Sequence, residues 1–209
     1  MKTKQGYLLL VEDDLDILAM LETTLTFNEY RVLTAQNGRE ALEAVQREQP
    51  LIVIADIMMP HLDGFGLAHR LRLNPVTRHI PVVFITAAYV SPEDRKFALN
   101  IGVAEIINKP VNVVAFLKTI NELLAGKTQP AINTRNELVF YDEYRKQLET
   151  KLEQTTKQIS RDEQLLAELT DTAGRDLRVS LRYSFRERDE LEHLLHDVNK
   201  QLARIGKSE

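Results

Sequence analysis

Four side chains in the first 110 residues of this 209-residue chain end separate apolar runs and could converge on one ligand. Asp56 follows Leu51-Ile52-Val53-Ile54-Ala55, and the acidic cluster Glu12-Asp13-Asp14 follows Tyr7 to Val11. Thr86 follows Val82-Val83-Phe84-Ile85, and Lys109 follows Ile106-Ile107-Asn108. If the runs are neighbouring strands, Asp13 and Asp56 share the crevice at the sheet's C-terminal edge, where open α/β sheets bind ligands. Crowded carboxylates stay ionised only beside a cation; otherwise one takes a proton. Mg²⁺ suits such a site because it is held by one or two carboxylates together with waters and phosphate oxygens. A hydroxyl (Thr86) and an ammonium (Lys109) beside that ion complete a phosphoryl-binding set. Asp56 is then a nucleophile able to form an acyl phosphate.

The elements that must position these residues are legible. Strand expectations fall at Tyr7–Val11, Arg31–Ala35, Leu51–Ala55, Pro81–Ile85 and Ala104–Ile107. The third and fourth are apolar almost throughout, as strands covered on both faces should be. Helical patterns lie between them at Leu15–Phe27, Gly38–Arg47, Phe65–Leu73, Pro92–Asn100 and Val113–Leu124. The fourth has Ser91 as its N-cap, Pro92 at its first position, the acids Glu93 and Asp94 next, and Gly102 as its stop. This alternation specifies an α/β domain over residues 1–125, a doubly wound five-stranded parallel sheet.

After Ala125 the character changes. Residues 126–134, opening Gly126-Lys127-Thr128-Gln129-Pro130, read as a linker. Residues 135–206 carry heptad-spaced apolar residues in two series. One is Leu138, Tyr141, Leu148, Leu152, Ile159, Leu166, Leu169 and Ala173, with Arg145, Thr155 and Asp162 interrupting the seam. The other is Leu177, Leu181, Leu191, Leu195, Val198, Leu202 and Ile205. A one-residue phase shift separates them across Thr170–Gly174, so this all-α region is either a helical hairpin turning at Gly174 or a long coiled-coil helix with a skip residue. The hairpin is the preferred reading.

Composition bounds the partners. A net charge of −4 gives no global electrostatic case for nucleic acid or an anionic membrane. No apolar run reaches the roughly 20 residues of a membrane helix, the N-terminus has no signal-peptide stretch, and cysteine is absent. A reducing, cytoplasmic setting is expected.

At this point the first 125 or so residues resemble the response-regulator receiver domain of two-component signalling, a flavodoxin-like fold. The resemblance is carried by Val11-Glu12-Asp13-Asp14, Asp56-Ile57-Met58-Met59-Pro60, Asp63-Gly64, Ile85-Thr86-Ala87 and Lys109-Pro110, in order and at the family's spacings. It implies that Asp56 accepts a phosphoryl group from a sensor histidine kinase. It also implies that Asp13 ligates Mg²⁺ directly, Glu12 through water, and Met58 through its backbone carbonyl. Thr86 and Lys109 would contact the phosphoryl group, and the Lys109–Pro110 bond would be cis. One position departs: the family's switch aromatic, three residues before the lysine, is Ile106, so Thr86 would have to signal through aliphatic repacking.

The remaining polar residues have plainer readings. Asp14 and Asp16 read as first-turn helix acids. His61, His69 and His79 read as loop or helix-surface residues, and His193 and His196 as a solvated face. Arg175, Arg178, Arg182 and Arg186 line one helical face, read as a salt-bridged stripe with Asp176, Glu187 and Asp189 rather than a nucleic-acid site. The expected function is phosphorylation-controlled homodimerisation, or docking of a protein partner, through the helical region, without enzymatic turnover beyond slow self-dephosphorylation. The alternatives are a DNA-binding response regulator with an unrecognised helical output, and a Mg²⁺-dependent aspartyl phosphatase of the haloacid dehalogenase type. The latter wants a second acid where Met58 stands. A linker to a further domain is a third use for the helices.

Overall fold

The five apolar runs pair as one parallel sheet in the order β2-β1-β3-β4-β5. The strands are β1 (Leu8–Val11), β2 (Val32–Ala35), β3 (Ile52–Asp56), β4 (Val82–Thr86) and β5 (Glu105–Asn108). The last three sit one residue further along than their apolar runs suggest. Backbone pairing does not depend on side-chain polarity, so Asp56 and Thr86 stay in the ladder opposite Ile85 and Asn108. The computed structural model describes residues 6–86, 92–126, 137–168 and 172–205. It divides into one unit up to Arg135 and another from Asn136.

In the first unit, α1 (Leu15–Phe27), α2 (Gly38–Arg47), α3 (Gly64–Leu73), α4 (Pro92–Asn100) and α5 (Val113–Leu124) follow the strands in turn. Strand alternation splits the core between the two faces. Leu8, Leu10, Ile52, Ile54, Val83 and Ile85 pack with Leu21 and Leu25 of α1 and Phe116 and Ile120 of α5. On the other parity Phe84 meets Phe65 of α3 at 5.2 Å between ring centres, and Phe65 meets Phe97 of α4 at the same distance. Helix starts use the chemistry expected of caps. Asp14, Asn37, Asp63 and Asn112 each accept first-turn N–H groups. Asp14 is thus a cap and Asp16 a first-turn acid. Gly102 stops α4 at φ 85°, its N–H donating to Leu99 O, while Ser91 lies outside the described residues.

Helix α3 is where the surface expectations fail. It begins one residue early, at Gly64, and is buried nearly throughout, so His69 is a core residue rather than a surface one. His61 and His79 are exposed. Arg72 is also buried, with Nη1 and Nη2 donating to the carbonyls of Ile80 and Gly102 at 2.9 and 2.8 Å. That guanidinium fastens α3 to the segments that enter β4 and β5. Two backbone carbonyls stand where an acid would be expected, and the buried Nε has no hydrogen-bond partner among the described residues.

In the second unit α6 (Glu137–Glu168) and α7 (Thr172–Ile205) pack against each other, and Lys151 Nζ stands 3.6 Å from Glu187 Oε1 across the pair. Lys151 and Glu187 lie 17 and 15 residues from Glu168 and Thr172, and only three residues separate those two ends, so the helices run antiparallel, a hairpin. The reversal falls between Glu168 and Thr172, outside the described residues, and Gly174 lies within α7 rather than in the turn. Tyr141, Leu148, Thr155, Ile159 and Asp162 are buried on α6, and Leu181, Leu191 and Val198 on α7. The polar Thr155 and Asp162 therefore do sit in the seam, Asp162 accepting from Gln158 Nε2 at 2.7 Å. Leu138 is exposed instead, while Phe140 and Tyr144 are buried in its stead.

Candidate functional site

The strand order reverses between β1 and β3, and the crevice this opens lies at their C-terminal ends. Val11 pairs with Ala55, so Glu12 and Asp56, one residue on, emerge side by side. Glu12, Asp13 and Asp56 each bring a carboxylate oxygen within 4.8 Å of the others. Lys109 reaches them from the end of β5. Its Nζ donates to Glu12 Oε2 at 2.8 Å and to Asp56 Oδ2 at 2.7 Å. The Lys109–Pro110 bond is cis, and the Lys109 N–H donates to Thr86 O at 2.8 Å, tying the lysine's backbone to the end of β4.

The two oxygens of Asp56 are distinguished by their partners. Oδ1 accepts from the Ile57 N–H at 2.6 Å and more weakly from the Met58 N–H at 3.3 Å, whereas Oδ2 faces Lys109. The carboxylate is therefore oriented by its own following loop, and one oxygen is left for chemistry. That loop is held in turn by the starts of α3 and α2: the Gly64 N–H donates to Ile57 O at 2.9 Å, and the Gly38 N–H to Leu62 O at 2.9 Å. Asp63 caps α3 through Gly66 N at 2.8 Å. The Asp63-Gly64 pair thus supports the loop that orients the acceptor, a role that no spacing rule reveals.

Electrostatics follow from burial. Glu12 is almost fully enclosed, and desolvation, reinforced by Asp56 and opposed by Lys109, pushes its carboxyl up to about 7. Burial pulls the Lys109 ammonium down, but Asp56 and Glu12 together outweigh it and hold the group above its ordinary value. Three carboxylates against one ammonium leave two formal negative charges. The deficit and the all-oxygen donor set fit a hard divalent cation. Thr86 is buried at the end of β4, and Ile106 is buried opposite Phe84. The position of the family's mobile aromatic is therefore an aliphatic residue already packed inside. Ala87 lies outside the described residues.

Asp63 gives a pH prediction. Burial, only partly offset by the Gly66 N–H, raises its carboxyl from 3.8 to about 7. Between those values the folded chain holds a proton that the unfolded chain has released, so this contribution to stability falls as pH rises through the window and is gone above it. Asp63→Asn retains a capping oxygen and removes the titration. Urea unfolding of both proteins should show the variant gaining on the wild type by about 4 kcal/mol from the acid to the alkaline end of the window. A difference that does not change with pH would refute the assignment.

A doubly wound sheet with carboxylates, a threonine and a lysine at its C-terminal edge is the architecture of receiver domains. The chain belongs to the response regulator receiver domain family, which matches residues 8–121. It is 39% identical over 120 residues to the response regulator PleD of Caulobacter vibrioides, covering 57% of this chain but only 26% of that protein. Among solved structures it is similar to the signal receiver domain of a signal transduction histidine kinase from Syntrophus aciditrophicus, with 32% identity and a TM-score of 0.54 over 58% of this chain and 91% of that one. It is also similar to the chemotaxis response regulator CheY4 of Vibrio cholerae, with 30% identity and a TM-score of 0.53 over 56% and 98%. These likenesses cover the first unit and not the hairpin. Among the described residues, no helix is long and apolar enough to cross a membrane.

Proposed function

We propose that Asp56 is the phosphoacceptor of a two-component response regulator and that its phosphorylation controls association through the α6–α7 hairpin. The observation that carries the reading is the Lys109 ammonium shared between Glu12 and Asp56, with Asp13 alongside. Oδ2 of Asp56 attacks phosphorus in line, and the bond from phosphorus to the imidazole nitrogen of the kinase's phosphohistidine breaks, its electron pair returning to that nitrogen. Lys109 moves from Oδ2 to an oxygen of the transferred group, and Thr86 donates its hydroxyl to another. Asp13 and Asp56, the Met58 carbonyl, and Glu12 through water would hold Mg²⁺, and the bound ion would neutralise charge on the phosphoryl oxygens. Thr86 and Ile106 form the switch, Thr86 moving toward the phosphoryl group and Ile106 repacking against β4.

Turnover is limited to slow hydrolysis of the acyl phosphate. The aspartyl-phosphatase alternative lacks its second acid, because Met58 stands there. The protein works in the cytoplasm, with a sensor histidine kinase as donor. Light scattering on the full chain in Mg²⁺, with and without beryllofluoride as phosphoryl mimic, tests the output. The expected result is a shift in the monomer–dimer balance that Asp56→Asn does not show. Identical masses in both conditions would contradict control of association.

A further inference from the structure

The loop between Asp56 and α3 bends at a strained residue. His61 holds φ 68°, a left-handed conformation that a Cβ disfavours, and the Leu62 N–H donates to Pro60 O at 2.8 Å. A three-residue turn closed by that bond around a positive φ is the γ-turn of the rare, strained hand. The imidazole is exposed, so burial of the ring does not offset the strain. What holds the turn is the residue that follows it. Leu62 is buried, its carbonyl accepts from the Gly38 N–H at 2.9 Å, and its side chain occupies the space a Cβ at Gly38 or Gly66 would need. The first turn of α2 is firmly capped there. Asn37 Oδ1 accepts from the Arg39 and Glu40 N–H groups, and the Glu40 carboxylate accepts from the Gln36 N–H and from Asn37 Nδ2. The cap leaves the Gly38 N–H for Leu62. At the other end of the loop the Gly64 N–H fixes Ile57 O, and the Ile57 and Met58 N–H groups fix Asp56 Oδ1. Between these two anchors the γ-turn sends Leu62 inward, as Met59 is, and leaves Pro60 and His61 in solvent.

We propose that His61 is a positioning residue for the phosphorylation of Asp56 and acts through its backbone. The γ-turn, latched by Leu62 onto Gly38, keeps the Ile57 and Met58 N–H groups on Oδ1 and so keeps Oδ2 as the attacking oxygen. The proposal rests on Asp56 being the phosphoacceptor, the function proposed above. A β-branched residue at this position resists φ 68°. It would open the turn, draw Leu62 O away from Gly38, and loosen the N–H groups that orient the carboxylate. Histidine and asparagine are among the side chains that tolerate a left-handed backbone, and glycine has no Cβ to resist it. Substitutions here therefore rank by that tolerance and not by the chemistry of the side chain.

Initial rates of phosphorylation by acetyl phosphate in saturating Mg²⁺, read as intact mass on the full chain, test the ranking. His61→Asn and His61→Gly should stay close to the wild-type rate. His61→Ala should be about threefold slower and His61→Val about tenfold slower or more. Gly38→Ala, whose Cβ would stand 2.5 Å from Leu62 O, should slow the reaction as His61→Val does. Amide hydrogen exchange at Ile57 and Met58, followed without any phosphodonor, should quicken in the same order. His61→Asn as slow as His61→Val would assign the effect to the imidazole, and His61→Ala at the wild-type rate would leave the turn without a role. Either result overturns the proposal, and the His61→Ala and His61→Asn pair decides it even where His61→Val does not fold. Exchange at Ile57 and Met58 that is the same in every variant would also overturn it. A wild-type chain that takes up no phosphoryl mass, with exchange in the expected order, would remove the phosphorylation reading and leave the latch standing.

Discussion

Lys109→Met should lower the unfolding free energy by about 3–5 kcal/mol at alkaline pH, among the largest losses any single side chain here can cause. The ammonium stands against two buried carboxylates at 2.7 and 2.8 Å, and removing it strands both in a site with little water. The loss should shrink as pH falls, because Glu12, already raised to about 7, then takes a proton in place of the ammonium. Mg²⁺ should stabilise the variant more than the wild type, since a cation bound only to the folded site replaces the missing charge. Urea unfolding at about pH 6 and about pH 8.5, with and without Mg²⁺, checks all three expectations. An unfolding midpoint equal to that of the wild type at alkaline pH would contradict the account.

Gly64→Ala is the second large effect, and it acts on Asp56 through the backbone. A Cβ at this position would stand 2.5 Å from the Asp56 carbonyl oxygen, 3.0 Å from Ile57 Cα and 3.2 Å from Phe84 Cε1. Two of those three atoms are main chain, so relief requires moving either the start of α3 or the loop that orients the Asp56 carboxylate. The expected cost is about 1–3 kcal/mol in stability. A larger fall is expected in the rate of phosphorylation by acetyl phosphate, because displacement of Ile57 and Met58 removes the N–H groups that fix Oδ1. Gly66→Ala is the control. Its Cβ would meet Leu62 Cδ1 at 2.6 Å, the end of a flexible side chain, and the Asp63 carboxylate at 3.0 Å, away from Asp56. It should slow phosphorylation less. Equal rates for Gly64→Ala and the wild type would refute the positioning role.

The sheet and the acceptor site were legible because each site residue closes an apolar run, and the end of a buried strand is where period and composition change together. What stayed hidden depends on partners distant in sequence. Arg72 looks like any helix-surface arginine, yet its two carbonyl acceptors, on Ile80 and Gly102, arrive from two different loops. His69 lies on a helix flanked by exposed-looking arginines, and only the packing of α3 shows it to be buried. In the hairpin, heptad spacing identified Tyr141, Leu148 and Ile159. It also gave weight to Leu138 over Phe140 and Tyr144, because a repeat records spacing and not which of two adjacent apolar residues turns inward. Gly174 marked a helix breaker by composition, but a glycine in the first turn of α7 costs little where few hydrogen bonds depend on it.

The central claim is that Asp56 accepts a phosphoryl group. Intact-mass spectrometry of the full chain after incubation with acetyl phosphate and Mg²⁺ tests it most directly. The account predicts one added phosphoryl mass on the wild type, lost on chelation of the metal during the reaction and absent in Asp56→Asn. An unchanged wild-type mass, or the same gain in Asp56→Asn, would contradict it.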